Sequence, residues 1–429
     1  MPEYTQANLP MRIDTVLDED VLLLNSFSGT EAISKPFTIH LDLLSEDPEI
    51  DPDELLRSEV LLSIDLPDGS TRPFHGHISQ FVQLGRSDEL THYQAEMVPW
   101  LWFLSLSQDC RIFQEMDVLE IVEEIFSDLG YSDFDVRCVR NYPKRQYCVQ
   151  YRESHLNFIS RLLEEEGIFY FFEHSDSGHV MVIADDNSSI QPSPGAEEVR
   201  IMEDASPGED VVHSLRRKHA VHLGRVTLRD YDYLKPSLQL ESSVSGEEWE
   251  EAYDYPGKYS ELEDGDRYSR LRLEESEMGR QMVRGRGACR GFQSGFRFDL
   301  AGHYRADANT TYALVEIRHD GSAGGYRSDA GPATHYSNEF LAIPHEVPFR
   351  PPHRAERPRI QGTQTAEVVG PSGEEIWVDE HSRIKVQFHW DRRGEKDENS
   401  SCWIRVASTW AGKSWGAIEI PRIGQEVLV

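Results

Sequence analysis

The sequence predicts a mainly β protein with α additions, divided over several domains. Three observations carry this. Short apolar runs such as Val60–Leu66 end in turns such as Pro67-Asp68-Gly69. Segments such as Arg383–Trp390 alternate polar and apolar residues, the pattern of a strand with one buried face. Only a few stretches show a helical stripe, and 429 residues exceed one ordinary core, which sets an expectation of two to four domains.

Taken in order, the first strong helix is expected over Val118–Leu129. Asp117 caps it, Glu120 completes a capping box, Gly130 stops it, and Val118, Ile121, Val122, Ile125, Phe126 and Leu129 form one stripe. A second is expected over Leu156–Glu166, capped by Ser154, with Phe158, Ile159, Leu162 and Leu163 inward and Gly167 as the stop; a strand, Ile168–Phe172, follows at once. A third, weaker helix is expected near Asp266–Met278. Pro344–Pro358 contains five prolines, which fix the backbone and remove donors, so it reads as an extended connector and a domain boundary. The residues from Gln361 to Val429 read as successive strands of a small β-barrel. No internal repeat of fixed short period is present.

A hydrophobic content of 38%, with 10% aromatics, suffices for packed cores. The formal charge is -33, from 43 basic and 76 acidic residues, and a surface that acidic repels phosphate backbones and argues against nucleic acid as a partner. No run is long and apolar enough for a membrane-spanning helix, and Met1–Pro10 lacks a signal pattern, so synthesis in the cytoplasm is expected. The five cysteines (Cys110, Cys138, Cys148, Cys289, Cys402) are odd in number and lack a C-x-x-C pair, which suits reduced thiols. Charge is unevenly spread: residues 241–280 hold 13 acidic and 5 basic residues, whereas Arg280, Arg284, Arg286, Arg290 and Arg297 follow without an intervening acid. That run is expected to meet the acidic surface of residues 241–277, within a subunit or between subunits.

Motifs of catalysis and metal binding fail one by one. Gly412-Lys413-Ser414 ends like a phosphate-binding loop, but Ala407 stands where the first glycine belongs, and Trp415–Ile420 reads as a strand rather than the required helix. His345-Glu346 begins a zinc-protease motif whose second histidine is Phe349, with Pro348 breaking the helix. Gly291–Gly295 misplaces the serine of a nucleophile elbow. His75 and His77 share a strand face, and His213, His219 and His222 cluster, yet zinc needs three or four convergent ligands and neither set has an evident completion. Carboxylate pairs are too abundant to single out a glycosidase dyad. No catalytic, cofactor-binding or metal residue is therefore assigned, and no cofactor.

Three long stretches carry a family resemblance. The first is Gln150–Ser154 through Phe158–Tyr170. The second is Ile343-Pro344, Phe349–Pro352 and Gly362–Gly370. The third is Gly373–Ile376, Ile384–Arg392, Cys402–Ala407, Trp410–Lys413 and Ile420–Val429. In these the chain resembles VgrG, the spike family at the tip of bacterial type VI secretion machines, over essentially its whole length. The resemblance implies two hub-type antiparallel β-barrel domains with helical insertions over 1–360, like the hub of a contractile phage tail. Over 361–429 it implies an oligosaccharide/oligonucleotide-binding barrel (OB-fold), expected to be incomplete because the chain stops at Val429. Two positions depart from the family pattern: Ser382-Arg383 stands for Gly-Arg, which leaves a tight turn there open, and Ser294-Gly295 for Pro-Gly.

The function implied is that of a non-enzymatic structural hub, a homotrimer that caps a tube of Hcp hexamers. It would help puncture target membranes, carry a PAAR-type tip and effectors, and leave the cell through the type VI apparatus. With no needle after Val429, a weakened trimer is expected. Trp403, Trp410 and Trp415 are expected to pack the OB core. A rival reading is a cell-wall hydrolase related to the phage baseplate lysozyme, but it needs an inserted domain of about 100 residues, which is absent. A single-strand nucleic-acid binder would need a basic groove with exposed aromatics.

Overall fold

The computed structural model describes residues 4–87, 89–202, 208–247, 249–324, 326, 334–413 and 415–429. It is mainly β with few helices, as expected. Contacts divide the chain into two compact units: residues 1–102, 133–140 and 164–353, and residues 103–132, 141–163 and 354–429. The last division in chain order falls between His353 and Arg354, inside the proline-rich stretch.

The first unit is built on one long sheet. Its N-terminal part consists of β1 (Met11–Asp14), β2 (Leu23–Ala32), β3 (Lys35–Ser45), β4 (Glu59–Asp65), β5 (Thr71–Ser87) and β6 (Leu90–Val98), with the short helix α1 (Pro52–Leu55) before β4. These strands pair antiparallel in the order β1-β4-β5-β6-β3-β2. Strands β2 and β3 are adjacent in sequence because Ile33 and Ser34 make a tight turn, with Ser34 at a left-handed φ of 59°.

The second unit opens with β7 (Gln108–Phe113), α2 (Val118–Leu129) and, after β8 (Phe134–Val136) of the first unit, β9 (Cys148–Ser154). The expected capping box is formed: Leu119 and Glu120 N–H donate to Asp117 Oδ1 at 2.9 and 3.0 Å, and Asp117 N–H donates to Glu120 Oε2 at 2.9 Å. Val118, Ile121, Val122, Ile125 and Phe126 are buried, and Gly130 closes the helix at φ 80°. Leu129 is exposed, since the last turn runs past the packed face. Helix α3 (His155–Glu166) follows, and Ser154 Oγ accepts from Asn157 N–H at 3.1 Å, as its position predicted. Phe158 stacks on Phe113, and Arg161 forks onto Glu153 at 2.7 Å.

Back in the first unit, β10 (Phe169–Ser175) and β11 (Gly178–Ala184) form a hairpin, with β8 parallel to β11. After β12 (Glu198–Arg200) come β13 (Val212–His219) and a small three-stranded sheet of β14 (Arg225–Asp230), β15 (Leu240–Ser245) and β16 (Glu251–Asp254). Helix α4 (Leu262–Met278) covers that sheet and begins four residues before the expected Asp266. The early start has no side-chain cap, and Gly265 lowers the helix signal there. The helix tolerates it because the ring of Tyr259 lies against Gly265, while Tyr259 O–H donates to the carbonyls of Leu228 and Leu240.

The remaining strands β17 (Gln281–Gly287), β18 (Arg297–Ala301), β19 (Thr311–Ser322) and β20 (His335–Pro344) continue the long sheet in the order β19-β20-β17-β13. Pairing of β2 with β19, from Ala32↔Glu316 to Ser26↔Ser322, joins the two expected halves into one sheet. Phe292, Phe298, Tyr312, Leu314, Ile317 and Phe340 form the core beneath the C-terminal half.

The second unit closes with β21 (Thr365–Val369), β22 (Lys385–Phe388), the two-residue strands β23 (Ala411–Gly412) and β24 (Trp415–Gly416), and β25 (Glu426–Leu428). Strand β21 pairs with β22 and β25 around a core of Ala366, Val368, Ile384 and Val386. The expected tryptophan core is corrected here. Trp410 and Trp415 are 68% and 59% exposed and pack on each other at 5.8 Å, because the short hairpin that bears them projects away from the barrel interior. Trp403 is half-buried and stacks on Trp377. The expected strand over Trp415–Ile420 is limited to Trp415–Gly416.

Candidate functional site

Two buried polar clusters rigidify the first unit. Glu31 on β2 receives Arg72 of β5 at 2.7 Å, His319 Nε2 of β19 at 2.9 Å and Ser294 Oγ at 3.3 Å. His319 Nδ1 meets Tyr336 O–H at 2.8 Å, and Arg72 donates onward to the carbonyl of Arg290 at 2.9 Å, whose guanidinium grips Asp210. Burial pushes the Glu31 carboxyl up, but Arg72 and the His319 bond outweigh it and hold it at about 2. Burial likewise pushes His319 below its ordinary value. Sequence position alone concealed this network, since Glu31 and His319 are far apart in the chain.

The second cluster completes the His75–His77 pair. Trp100 N–H donates to His179 Nε2 at 3.1 Å, so the His179 proton sits on Nδ1 and is given to His75 Nδ1 at 3.1 Å. His75 N–H donates to His174 Nδ1 at 3.1 Å. The bonds accepted by His179 Nε2 and His75 Nδ1 require those nitrogens unprotonated, while His174 Nδ1 also lies 3.2 Å from the His75 carbonyl. Burial pushes His174 down to about 4, and burial together with the neighbouring histidines pushes His179 down to about 2. His174 and His179 face each other across the β10–β11 hairpin; the sequence signal was their symmetric spacing about the turn. Among the described residues, no group of three or more His, Cys, Asp or Glu is arranged to hold a metal ion. His213 and His219 lie exposed on β13, while His222 is buried with both ring nitrogens lacking a hydrogen bond, so the three do not converge. Ser414 of the loop-like Gly412-Lys413-Ser414 lies outside the described residues.

The arginine run divides. Among the described residues, Arg280 is the member that reaches the acidic stretch, at Glu247 (2.7 Å). Arg290 pairs with Asp210 and Arg286 with Glu339, at 2.8 and 2.6 Å; Arg286 faces Glu339 across the β17–β20 register, and Arg290 lies beyond the end of β17. Within one chain, then, the expected meeting with residues 241–277 is made at Arg280, while Arg286 and Arg290 take other partners.

What the run builds instead is a surface site on the outer face of β13-β17-β20-β19. A cavity of about 150 Å³ is lined there by Arg216, Arg284, Arg286, Arg318, Glu316 and Glu339, among others. Register places Ser214, Arg286, Glu339 and Arg318 in one row across the strands, and Arg216, Arg284, Leu341 and Glu316 in the next. Gly285 leaves room beneath for the ring of Phe340, which a Cβ would strike.

The architecture is that of a known family. Residues 30–325 match the family described as "Phage tail baseplate hub (GPD)". The chain belongs to the phage tail baseplate hub family. Beyond the hub, residues 375–429 match the "Type VI secretion system/phage-baseplate injector OB domain". The type VI secretion system spike proteins VgrG1b and VgrG1a of Pseudomonas aeruginosa are each 40% identical to this hub chain over 427 residues, which is 98% of it and 58% and 66% of theirs. The Vibrio cholerae actin cross-linking toxin VgrG1 is 31% identical over 430 residues, 96% of this chain and 39% of that protein. The hub chain thus spans roughly three-fifths of the curated spike proteins. An E. coli type VI secretion component, described as structurally similar to T4 bacteriophage tail proteins, shares the fold with a TM-score of 0.71 at 21% identity, over 97% of this chain and 95% of that one. The resemblance to VgrG read from the sequence is shown.

Proposed function

We propose that this chain is the hub of a type VI secretion spike, a trimer that caps an Hcp tube, helps puncture target membranes and delivers effectors. The single observation that carries the reading is the match to spike proteins over 98% of the chain, running through hub and OB regions alike. The division of labour would be a hub over 1–360 and a collar over 361–429, with a PAAR-type tip and effectors engaged beyond the collar. Its role is structural rather than catalytic: the buried histidine and glutamate clusters are enclosed by aromatic rings and strands and tie neighbouring elements together. A cell-wall hydrolase remains the alternative, and nucleic acid is disfavoured by the charge of -33. Export would proceed through the apparatus itself.

The test mixes the purified chain with Hcp tubes and examines tube ends by electron microscopy. Density with threefold character at the ends is expected. Unmodified ends, or peptidoglycan hydrolysis that tracks with this chain through purification, would contradict the reading.

A further inference from the structure

The two rows of the arginine-lined face are unequally satisfied. In the first, Arg286 and Arg318 flank Glu339, and the Arg286–Glu339 pair closes at 2.6 Å. In the second, Glu316 is served at 3.7 Å by Arg318 and at 3.6 Å by Lys35. The other end of that row sets Arg216 directly opposite Arg284, both exposed and neither in an ion pair among the described residues. Like charges at directly opposed positions are only about 5 Å apart at Cβ and destabilise a sheet. In a chain with 76 acidic and 43 basic residues, carboxylates are plentiful, yet among the described residues none pairs with either arginine, Glu316 and Glu339 of the same face being paired with Arg318, Lys35 and Arg286.

We propose that this face docks an acidic segment of a partner protein, with one carboxylate bridging Arg216 and Arg284 and a second reaching toward Arg286. Two guanidiniums carried on directly opposed positions, with Cβ atoms about 5 Å apart, can converge on one carboxylate, since each offers paired N–H donors. Arg286 lies two residues beyond Arg284 on β17, about 7 Å along the strand. Glutamates one helical turn apart, about 6 Å between Cβ atoms, match that step. Glu339 and Glu316 keep the same face from suiting a polyanion. A nucleic acid presents phosphate at every step and would lie against both carboxylates, whereas a protein segment can limit its negative charge to two positions, over the Arg216–Arg284 pair and at Arg286. Leu341, between Arg284 and Glu316, offers the apolar contact such a segment would cover.

The experiment is fluorescence anisotropy with the whole chain and a labelled alanine-rich helical peptide bearing glutamates at i and i+4. A glutamine counterpart and a single-stranded DNA oligonucleotide of equal charge run alongside. The glutamate peptide is expected to bind at micromolar concentration and to weaken as salt is raised from about 50 to 300 mM, because screening shortens the range of exposed charges. Glutamine substitution in the peptide, or Arg216→Glu or Arg284→Glu in the chain, should each weaken binding at least tenfold. Arg305→Glu, at a site distant on the sequence and paired with Asp307, should leave it unchanged. Because both tested arginines are exposed and repel each other, their variants should melt no lower than the parent, which excludes misfolding as the cause.

Absence of peptide binding overturns the proposal. So does equal binding by the arginine variants, DNA binding as tight as peptide binding and lost in the same variants, or a change in the chain's own self-association in Arg284→Glu. Loss of peptide binding while the variants still cap Hcp tubes would separate this site from the hub role.

Discussion

Ser382 stands where the family pattern has glycine, and its backbone takes the left-handed conformation, φ 59°, that glycine adopts freely. The turn forms nonetheless. Ser382 N–H donates to the Asp379 carbonyl, and the Asp379 carboxylate holds both the N–H and the guanidinium of Arg383. A side chain in that region costs about 1–2 kcal/mol, part of which glycine gives back through its freer unfolded chain. Ser382→Gly should therefore stabilise the protein by about 0.5–1 kcal/mol, read as a raised melting temperature; a lowered one would show that Ser382 is not strained. At Glu31 the balance runs the other way. Removing one partner of a buried ion pair strands the other, so Glu31→Ala, which leaves Arg72 and His319 without their acceptor, should cost about 3–5 kcal/mol in urea unfolding.

The same residues set the pH response. His75, His174, His179 and His319 are all held below their ordinary value by burial, so the unfolded chain binds more protons than the folded one as pH falls below about 6.5. Their stabilising effect is complete above that pH and is lost below it, for His174 down to about 4 and for His179 down to about 2. Glu31, held at about 2, adds a loss below its unfolded value of 4.5 in the same direction. Unfolding free energy should thus fall steadily from pH 6.5 to 4, by about 1.4 kcal/mol per pH unit for each proton taken up on unfolding. A free energy flat over that window would contradict the neutral histidine chain.

At the scale of elements, what could be read in the sequence was local. Asp117, Glu120 and Gly130 are a few residues from the groups they cap, so α2 was legible at both ends, and Ser154 marked α3 in the same way. Helix α4 starts earlier than its sequence signal because Gly265 weakens that signal in the first turn, whereas packing brings the ring of Tyr259 against the glycine. The pairing of β2 with β19 was illegible, since both alternate well and nothing local selects one partner strand over another. That pairing brings Glu31 to His319, so the glutamate network was hidden with it; the arginine face was hidden too, its residues being readable as a run but not as a grid. The OB-fold shows the same limit: the count of tryptophans suggested a core that aliphatic residues in fact fill. Ile384→Ala should cost about 2–5 kcal/mol, as for other large buried aliphatics, whereas Trp415→Ala should stay within about 0.5 kcal/mol. Chemical denaturation of the two variants checks this, and a reversed order would restore the tryptophans to the core.

For the whole molecule, assembly has to overcome charge. Copies of a chain with net charge -33 repel one another, so association should strengthen when moderate salt shortens the screening length to about 8 Å, and should weaken on dilution into low salt. The arginine face predicts the opposite salt trend for its acidic partner, so the two interactions are separable on one preparation. The hub reading stands or falls on whether this chain assembles in threes. Sedimentation velocity over a concentration series, at low and at moderate salt, measures that directly. The account predicts a species of three chains that grows with concentration and with salt; a single-chain species under every condition would contradict it.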